Sequence, residues 1–327
     1  MNKPTISVIM SVYNETISSI NEAVNSILMQ KFTDLEFIIV NDSPSRVDVQ
    51  RYLKKLSLTD DRVILIKNNR NSGLVSSLNN GLKVARGRFI ARMDADDVSC
   101  LHRLDVEMDI IRRGYDFVGT SAREIDTKNI TVGKRIMPIE GDISSAQQIR
   151  TNNFIIHSST LIRKSSLDFL DGYRQIPSCE DYDLWSRLLL SGFTGYVTKK
   201  ILLDYRIRDS GVTSSNKLLM DVSASIVRQG ILKCNTLEKY DKLVNPKEIG
   251  MKYNKFPLRS SLFRHAYNTG SNKYEDCSRT FKNNHSFKAA IALISTLILY
   301  PLNIKKIFFA LRVRVEKISP KRKNKEL

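Results

Sequence analysis

No apolar run in this sequence is long enough to cross a bilayer. Residues 289–302 are free of charge, but they fall short of the roughly 20 needed and contain Pro301. The start shows no basic segment followed by an apolar one, so a secretory signal is absent, export is not expected and a cytoplasmic location is. Cysteine is scarce: Cys100, Cys179, Cys234 and Cys277 form no CxxC pair, which argues against a zinc site or disulfide framework and for reduced thiols. There is no low-complexity tract and no repeat at solenoid spacing. Acidic residues are few beside basic ones, 34 against 52, and the net charge of +18 calls for an anionic partner: nucleic acid, anionic lipid or a phosphorylated substrate. With no helix-turn-helix, zinc or aromatic-basic motif present, nucleic acid is not expected.

The 327 residues are 42% hydrophobic and 26% charged, an ordinary mixture for a chain with a packed core. Short apolar runs rich in β-branched residues at 6–11, 36–41, 63–67 and 89–93 predict buried strands. Between them, Ile17, Ile20, Val24 and Ile27, then Val49, Leu53 and Leu56, then Leu74, Leu78, Leu82 and Ala85 recur at helical spacing. Strand and helix alternate, which predicts an α/β fold with a Rossmann-like, mostly parallel sheet flanked by helices. Further on, 101–112 reads as a helix, 117–121 as a strand, 133–142 as a loop-rich insertion, 152–163 as a strand, and 182–190 as a helix opened by Glu180 and Asp181. One domain is expected over 1–214, a helical extension over 215–285 and a tail over 286–327. In that tail ten Lys or Arg face only Glu316 and Glu326, and an amphipathic pattern mixes Ile307, Phe308, Phe309, Leu311 and Val315 with Lys305, Lys306, Arg312 and Arg314. Such a tail fits peripheral docking on an anionic membrane surface, or a C-terminal helix packed on the body.

Parallel sheets bind ligands beyond the carboxyl ends of their strands, and here those ends carry the polar residues. Val12, Tyr13 and Glu15 follow the first run, Asn41 and Asp42 the second, Asn71 and Gly73 the third, and Met93-Asp94-Ala95-Asp96-Asp97 closes the fourth. In the last of these, two carboxylates two residues apart can reach one hard divalent cation, Mn²⁺ or Mg²⁺, which would complete its shell from substrate phosphates. Taken alone, an Asp-x-Asp pair also serves as a turn or helix cap. A phosphohydrolase would carry its aspartate nucleophile after the first strand, where this chain has Ser11-Val12-Tyr13-Asn14-Glu15.

Five segments in order resemble the family 2 glycosyltransferases: 6–15, its opening strand and Tyr-Asn-Glu turn; 38–43, its Val-x-Asp-Asp-Ser, with Asn41 at the first Asp; Asn71-Ser72-Gly73-Leu74, its Asn-x-Gly loop; Ala85-Arg86-Gly87 running into Met93 to Asp97, its metal motif; and Glu180-Asp181-Tyr182-Asp183-Leu184-Trp185. They span about 200 residues. The resemblance implies a GT-A fold and an inverting, metal-dependent transfer from a nucleotide-sugar donor, a UDP-hexose or UDP-N-acetylhexosamine, to a saccharide acceptor. That acceptor would be undecaprenyl-diphosphate-linked, in bacterial O-antigen or capsule synthesis at the inner membrane face. Residues 1–100 would hold the donor and 101–214 the acceptor. Val12, Tyr13, Glu15, Asn71, Gly73 and Ala95 would border the nucleotide sugar, Asp42 would hold the base, Asp94 the ribose or metal, Asp96 the metal, and Asp181 would be the base that deprotonates the acceptor. His157, Glu180, Trp185 and Arg206 are expected near the acceptor or diphosphate, as is Arg208, which stands where the family commonly has His. The competing expectation is a catalytically idle nucleotide or carbohydrate binder of the same fold.

Overall fold

The computed structural model describes residues 3–208 and 217–255. The main chain runs β1 (Ile6–Val12), α1 (Ile17–Leu28), β2 (Leu35–Asn41), α2 (Val47–Thr59), β3 (Val63–Lys67), α3 (Leu74–Val84), β4 (Phe89–Asp94), β5 (Val98–Ser99) and α4 (Arg103–Ile111). It continues through β6 (Phe117–Ile125), β7 (Thr131–Arg135), β8 (Gly141–Ile143), β9 (Thr160–Arg163), α5 (Lys164–Phe169), α6 (Glu180–Leu190) and β10 (Gly195–Arg206). Three helices follow: α7 (Lys217–Lys233), α8 (Leu237–Leu243) and α9 (Pro246–Lys255). Residues up to Arg208 together with Ser223–Ile249 form one compact unit, and the other described residues belong to a second. The expected boundary at Ser214 and the tail over 286–327 lie outside the described residues. Among those described, no helix is long and apolar enough to cross a membrane.

All ten strands among the described residues join one sheet in the order β3-β2-β1-β4-β9-β6-β10-β5, with β7 on β6 and β8 on β10. The mixed α/β fold is the one expected. Strands β1 to β4 are mutually parallel where they pair, β9 is antiparallel to β4 and β6, and β10 is parallel to β6. β2 is buried along its whole length, as a parallel strand covered by helices on both faces should be. α1 starts where the Thr16 hydroxyl accepts from the Ser19 N–H at 3.1 Å, and it buries Ile20, Ala23, Val24 and Ile27. From β1 the chain steps outward to β2 and β3, then returns to the other side of β1 as β4. The reversal opens a crevice beyond the carboxyl ends of β1 and β4.

At the opposite end of the sheet a buried network fixes the entry into β4. Glu36 accepts from the Ser7 hydroxyl at 2.6 Å and from the Arg86 N–H at 2.7 Å, and pairs with the Arg86 guanidinium at 2.7 Å. The Gly87 N–H donates to Ser7 Oγ at 2.8 Å, and a Cβ at Gly87 would lie 2.5 Å from the Ser7 backbone nitrogen. Ala85-Arg86-Gly87 is therefore a packing motif. A second network anchors α8 on α6. Fully buried Asp183 accepts from Arg187 Nε at 2.9 Å, from Arg174 Nε at 3.0 Å and from the Tyr240 hydroxyl at 3.3 Å, while Arg174 also reaches Asp241 at 2.7 Å.

Three stretches differ from expectation. Residues 133–142, expected as loop, overlap β7 and β8. Of 152–163 only Thr160–Arg163 is strand, because local side-chain bonds compete with the ladder: Ser159 Oγ donates to the Ile156 carbonyl at 3.0 Å and Thr160 Oγ1 to that of His157 at 2.8 Å. β10 has no counterpart among the expected elements; Lys199 and Lys200 interrupt its apolar pattern where the pairing register with β6 shifts.

Gly87→Ala should cost about 3 kcal/mol in chemical denaturation, since the backbone of β1 must move to admit the methyl group. Asp183→Ala should cost about 3–5 kcal/mol by stranding two guanidinium groups, and a melting temperature equal to wild type would disprove the anchoring role.

Candidate active site

Asp94 ends β4 opposite Ser11 of β1, and the turn after it carries Ala95, Asp96 and Asp97. This turn is held from beneath by Arg206 at the end of β10. The Arg206 N–H donates to Asp97 Oδ1 at 2.8 Å, and its Nε to the Asp96 carbonyl at 2.7 Å. The rest of the guanidinium reaches the Asp126 carbonyl at 3.0 Å, Asn129 Oδ1 at 2.7 Å and Glu22 at 2.7 Å. Arg206 is 5% exposed and four of its five guanidinium N–H groups are bonded to protein, so the expectation that it meets acceptor or diphosphate is corrected: it positions the turn. Asp97 also accepts from the Ser158 hydroxyl at 2.6 Å. Two acids remain for ligand.

Each of these already faces a guanidinium. Buried Arg92 places Nη2 2.5 Å from Asp94 Oδ1. Arg208 places Nε 2.6 Å from Asp96 Oδ2 and Nη2 3.4 Å from Glu15 Oε1. Burial, the charge of Asp94 and that of Glu15 push Asp96 up to about 7, against the pull of Arg208. Asp97 is pushed well above the carboxylate range by burial, then by Asp94 and Asp96. A nest of acids that ionise this reluctantly is short of positive charge. Asp94 and Asp96 offer hard oxygen donors, and among the described residues no group of three or more His, Cys, Asp or Glu forms a cage. That donor set fits a Mn²⁺ or Mg²⁺ ion that draws the rest of its shell from a diphosphate.

The loops after β1, β2 and β3 form the adjoining wall. Asp42 accepts from the Ser72 N–H at 2.7 Å, the Gly73 N–H at 2.9 Å and Asn68 Nδ2 at 2.8 Å, binding the third loop to the second. Gly73 permits this with φ +82°, a backbone conformation other residues rarely adopt. Asn71 is exposed and its Oδ1 accepts from the Gly73 N–H at 3.0 Å. Tyr13 is 46% exposed at the crevice mouth, and its N–H donates to Glu15 Oε2 at 2.8 Å. The side chains of Val12 and Ala95 are buried, so what they can present toward the nucleotide sugar is backbone; the Val12 carbonyl accepts from the Asp42 N–H at 2.8 Å.

Across the crevice, α6 begins with Glu180 and Asp181, both partly buried. Burial and then the Asp181 charge push Glu180 up to about 7. Asp181 is raised by burial, opposed by bonds from the Tyr182 N–H at 2.6 Å and Asn153 Nδ2 at 2.8 Å. Asp94 raises both, so the first turn of α6 and the end of β4 share one electrostatic environment. The remainder of that motif is structural. Tyr182 donates to the Ile149 carbonyl at 2.7 Å, and fully buried Trp185 stacks on Phe117 with centroids 5.4 Å apart, correcting its expected place at the acceptor. His157 meets the Tyr173 hydroxyl at 2.9 Å; burial, with Arg92 nearby, holds it well below the usual imidazole value and therefore neutral at pH 7.

Arg92, Asn153 and Tyr173 were not anticipated from sequence. Only Arg92 left a signal, as a lone charge inside an apolar strand run.

The Glycosyl transferase family 2 profile matches residues 7–170, half of the chain. An uncharacterized glycosyltransferase of Methanocaldococcus jannaschii is 30% identical over 210 residues, 63% of this chain and 72% of its own length. The Escherichia coli UDP-Glc:alpha-D-GlcNAc-diphosphoundecaprenol beta-1,3-glucosyltransferase WfgD is 26% identical over 279 residues, 80% of this chain and 99% of that protein. In structure, S. aureus TarS 1-349 in complex with UDP-GlcNAc aligns at a TM-score of 0.56 with 17% identity, over 93% of this chain and 89% of that one, and shares the GT-A fold. Profile, relatives and sheet agree, and the chain belongs to glycosyl transferase family 2: it is a glycosyltransferase.

Proposed function

We propose that the chain transfers a hexose or N-acetylhexosamine from a UDP-sugar to a saccharide on an undecaprenyl-diphosphate-type carrier, with inversion, in surface polysaccharide synthesis. The observation that carries the reaction class is that Asp94 acts electrostatically both on Asp96 in its own turn and on Glu180 and Asp181 at the start of α6, which brings the candidate metal ligands and the candidate base into one site. Donor and acceptor classes are supported by the E. coli relative, which acts from UDP-Glc on a GlcNAc-diphosphoundecaprenol.

In this reading Tyr13 and Glu15 border the base and Asp42 holds it, one carboxylate lone pair remaining after the bonds to Asn68, Ser72 and Gly73. Asn71 and Gly73 line the same wall. Asp94 and Asp96 would hold Mn²⁺ or Mg²⁺, which when bound supplies Lewis-acid stabilisation of charge on the departing diphosphate. Asp181 accepts the proton of the acceptor hydroxyl as that oxygen bonds to the anomeric carbon from the face opposite the leaving group, so an α-linked donor gives a β-glycoside. Asn153 fixes the orientation of the Asp181 carboxylate. The basic, amphipathic residues 286–327 would keep the enzyme at the inner face of an anionic membrane, where such carriers lie.

A donor screen by nucleotide release with Mn²⁺ and lipid-diphosphate-linked saccharides tests the reading; release that never depends on acceptor, for any UDP-sugar, would sink it. Asp96→Asn and Asp181→Asn should each lower kcat by about 10²–10⁴-fold with unchanged melting temperature. Because the carboxylate form of Asp181 is the active one and its pKa is raised, kcat/KM should decline as pH falls through a midpoint above the ordinary 3.8. An acid limb at or below that value would contradict the assignment.

A further inference from the structure

We propose that Arg208 is an internal counter-cation that competes with the divalent ion for Asp96 and yields it only when the donor's diphosphate arrives to take the guanidinium. This inference rests on the diphosphate placement of the preceding reading and adds an order of assembly to it.

The geometry supplies the argument. A guanidinium has five donors and no lone pair, so it can never ligate a metal; beside a metal carboxylate it can only compete for the same charge. Arg208 bridges Asp96 from the β4 turn, at 2.6 Å, to Glu15 from the β1 turn, at 3.4 Å. At Asp96 itself the guanidinium of Arg208 already occupies Oδ2 and offsets the carboxylate charge that would draw a dication there. The two guanidinium groups that face the candidate ligands differ in freedom. The Arg92 side chain is 2% exposed and donates to the Met93 carbonyl, whereas that of Arg208 is 22% exposed and belongs to the second residue beyond β10. The second guanidinium lies nearer solvent and beyond the strand, where a shift of it disturbs the core less.

A diphosphate offers Arg208 a better partner than a single carboxylate oxygen, because its oxygens can accept two parallel charge-assisted bonds. Transfer of the guanidinium would free Asp96 Oδ2 and raise the pocket's negative charge at the moment the diphosphate supplies further oxygens. Metal and nucleotide then bind with positive coupling, which linkage makes reciprocal. A static pillar holding the two turns together would show no such coupling through Arg208.

The test is Mn²⁺ binding, read by the electron paramagnetic resonance of free Mn²⁺, to the full chain and to Arg208→Ala and Arg208→Lys, each with and without UDP. Melting curves establish that both variants are folded. Without UDP, Arg208→Ala should bind Mn²⁺ about tenfold or more tightly than wild type, while Arg208→Lys, which keeps the charge, stays near wild type. With UDP the advantage of Arg208→Ala should vanish, and the factor by which UDP tightens Mn²⁺ should shrink accordingly. Equal nucleotide-free affinities for wild type and Arg208→Ala, with UDP still recruiting Mn²⁺ to both, would overturn the counter-cation and leave the metal reading intact. Failure of UDP to recruit Mn²⁺ to wild type would overturn both.

Discussion

The site depends on one clamp, the grip of Arg206 on the turn after β4. A short turn bearing three aspartates would splay if each carboxylate sought water. Here the Arg206 N–H takes Asp97, its guanidinium takes the Asp96 carbonyl, and the Ser158 hydroxyl completes Asp97. Arg206 is tied in turn to α1 through Glu22 and to the β6–β7 turn through Asn129. Such a buried charge adds little net stability once desolvation is counted, but it fixes position, because removing either partner strands the other. Of the three acids one is thereby consumed by structure, and Asp94 and Asp96 are left to face the crevice.

Crowding has an electrostatic consequence. Burial raises the proton affinity of Asp96, Glu180 and Asp181 by removing water that would otherwise screen them, and the charge of Asp94 raises each of the three further. The protein offsets part of this with Arg92 and Arg208 and does not neutralise it. A neutral His157 beside Tyr173 avoids adding another fixed charge. The residual imbalance is what the proposed cation would offset.

Much of the framework was legible in the sequence. β1, β2 and β4 are mainly apolar runs buried on both faces, β3 is an apolar run half-buried at the sheet edge, and α1 to α3 show one apolar stripe each, so pattern alone identified them. The acids were legible too, since they follow those strands at fixed places. Motif membership could not divide residues that hold the backbone from residues that face ligand: Val12, Trp185 and Arg206 belong to matched segments yet lie in the packing. Asn153 and Tyr173 were illegible for another reason. Their relevance comes from tertiary contact with Asp181 and His157, and nothing local marks an asparagine or a tyrosine for that role.

The placement of Glu180 and Asp181 on the first turn of α6 follows from the same electrostatics. A carboxylate near Asp94 must resist both burial and a like charge, and a base protonated throughout the working range could accept nothing. At a helix start the unpaired N–H groups and the positive end of the dipole favour the ionised form. The Tyr182 N–H donates directly to Asp181 Oδ1 at 2.6 Å and lowers its proton affinity. Tyr182, Asp183 and Trp185 in the same helix are turned into the core and hold that end rigid. One six-residue segment thus supplies both the acid pair and the structure that keeps it ionisable, which explains why its members divide so sharply between crevice and core.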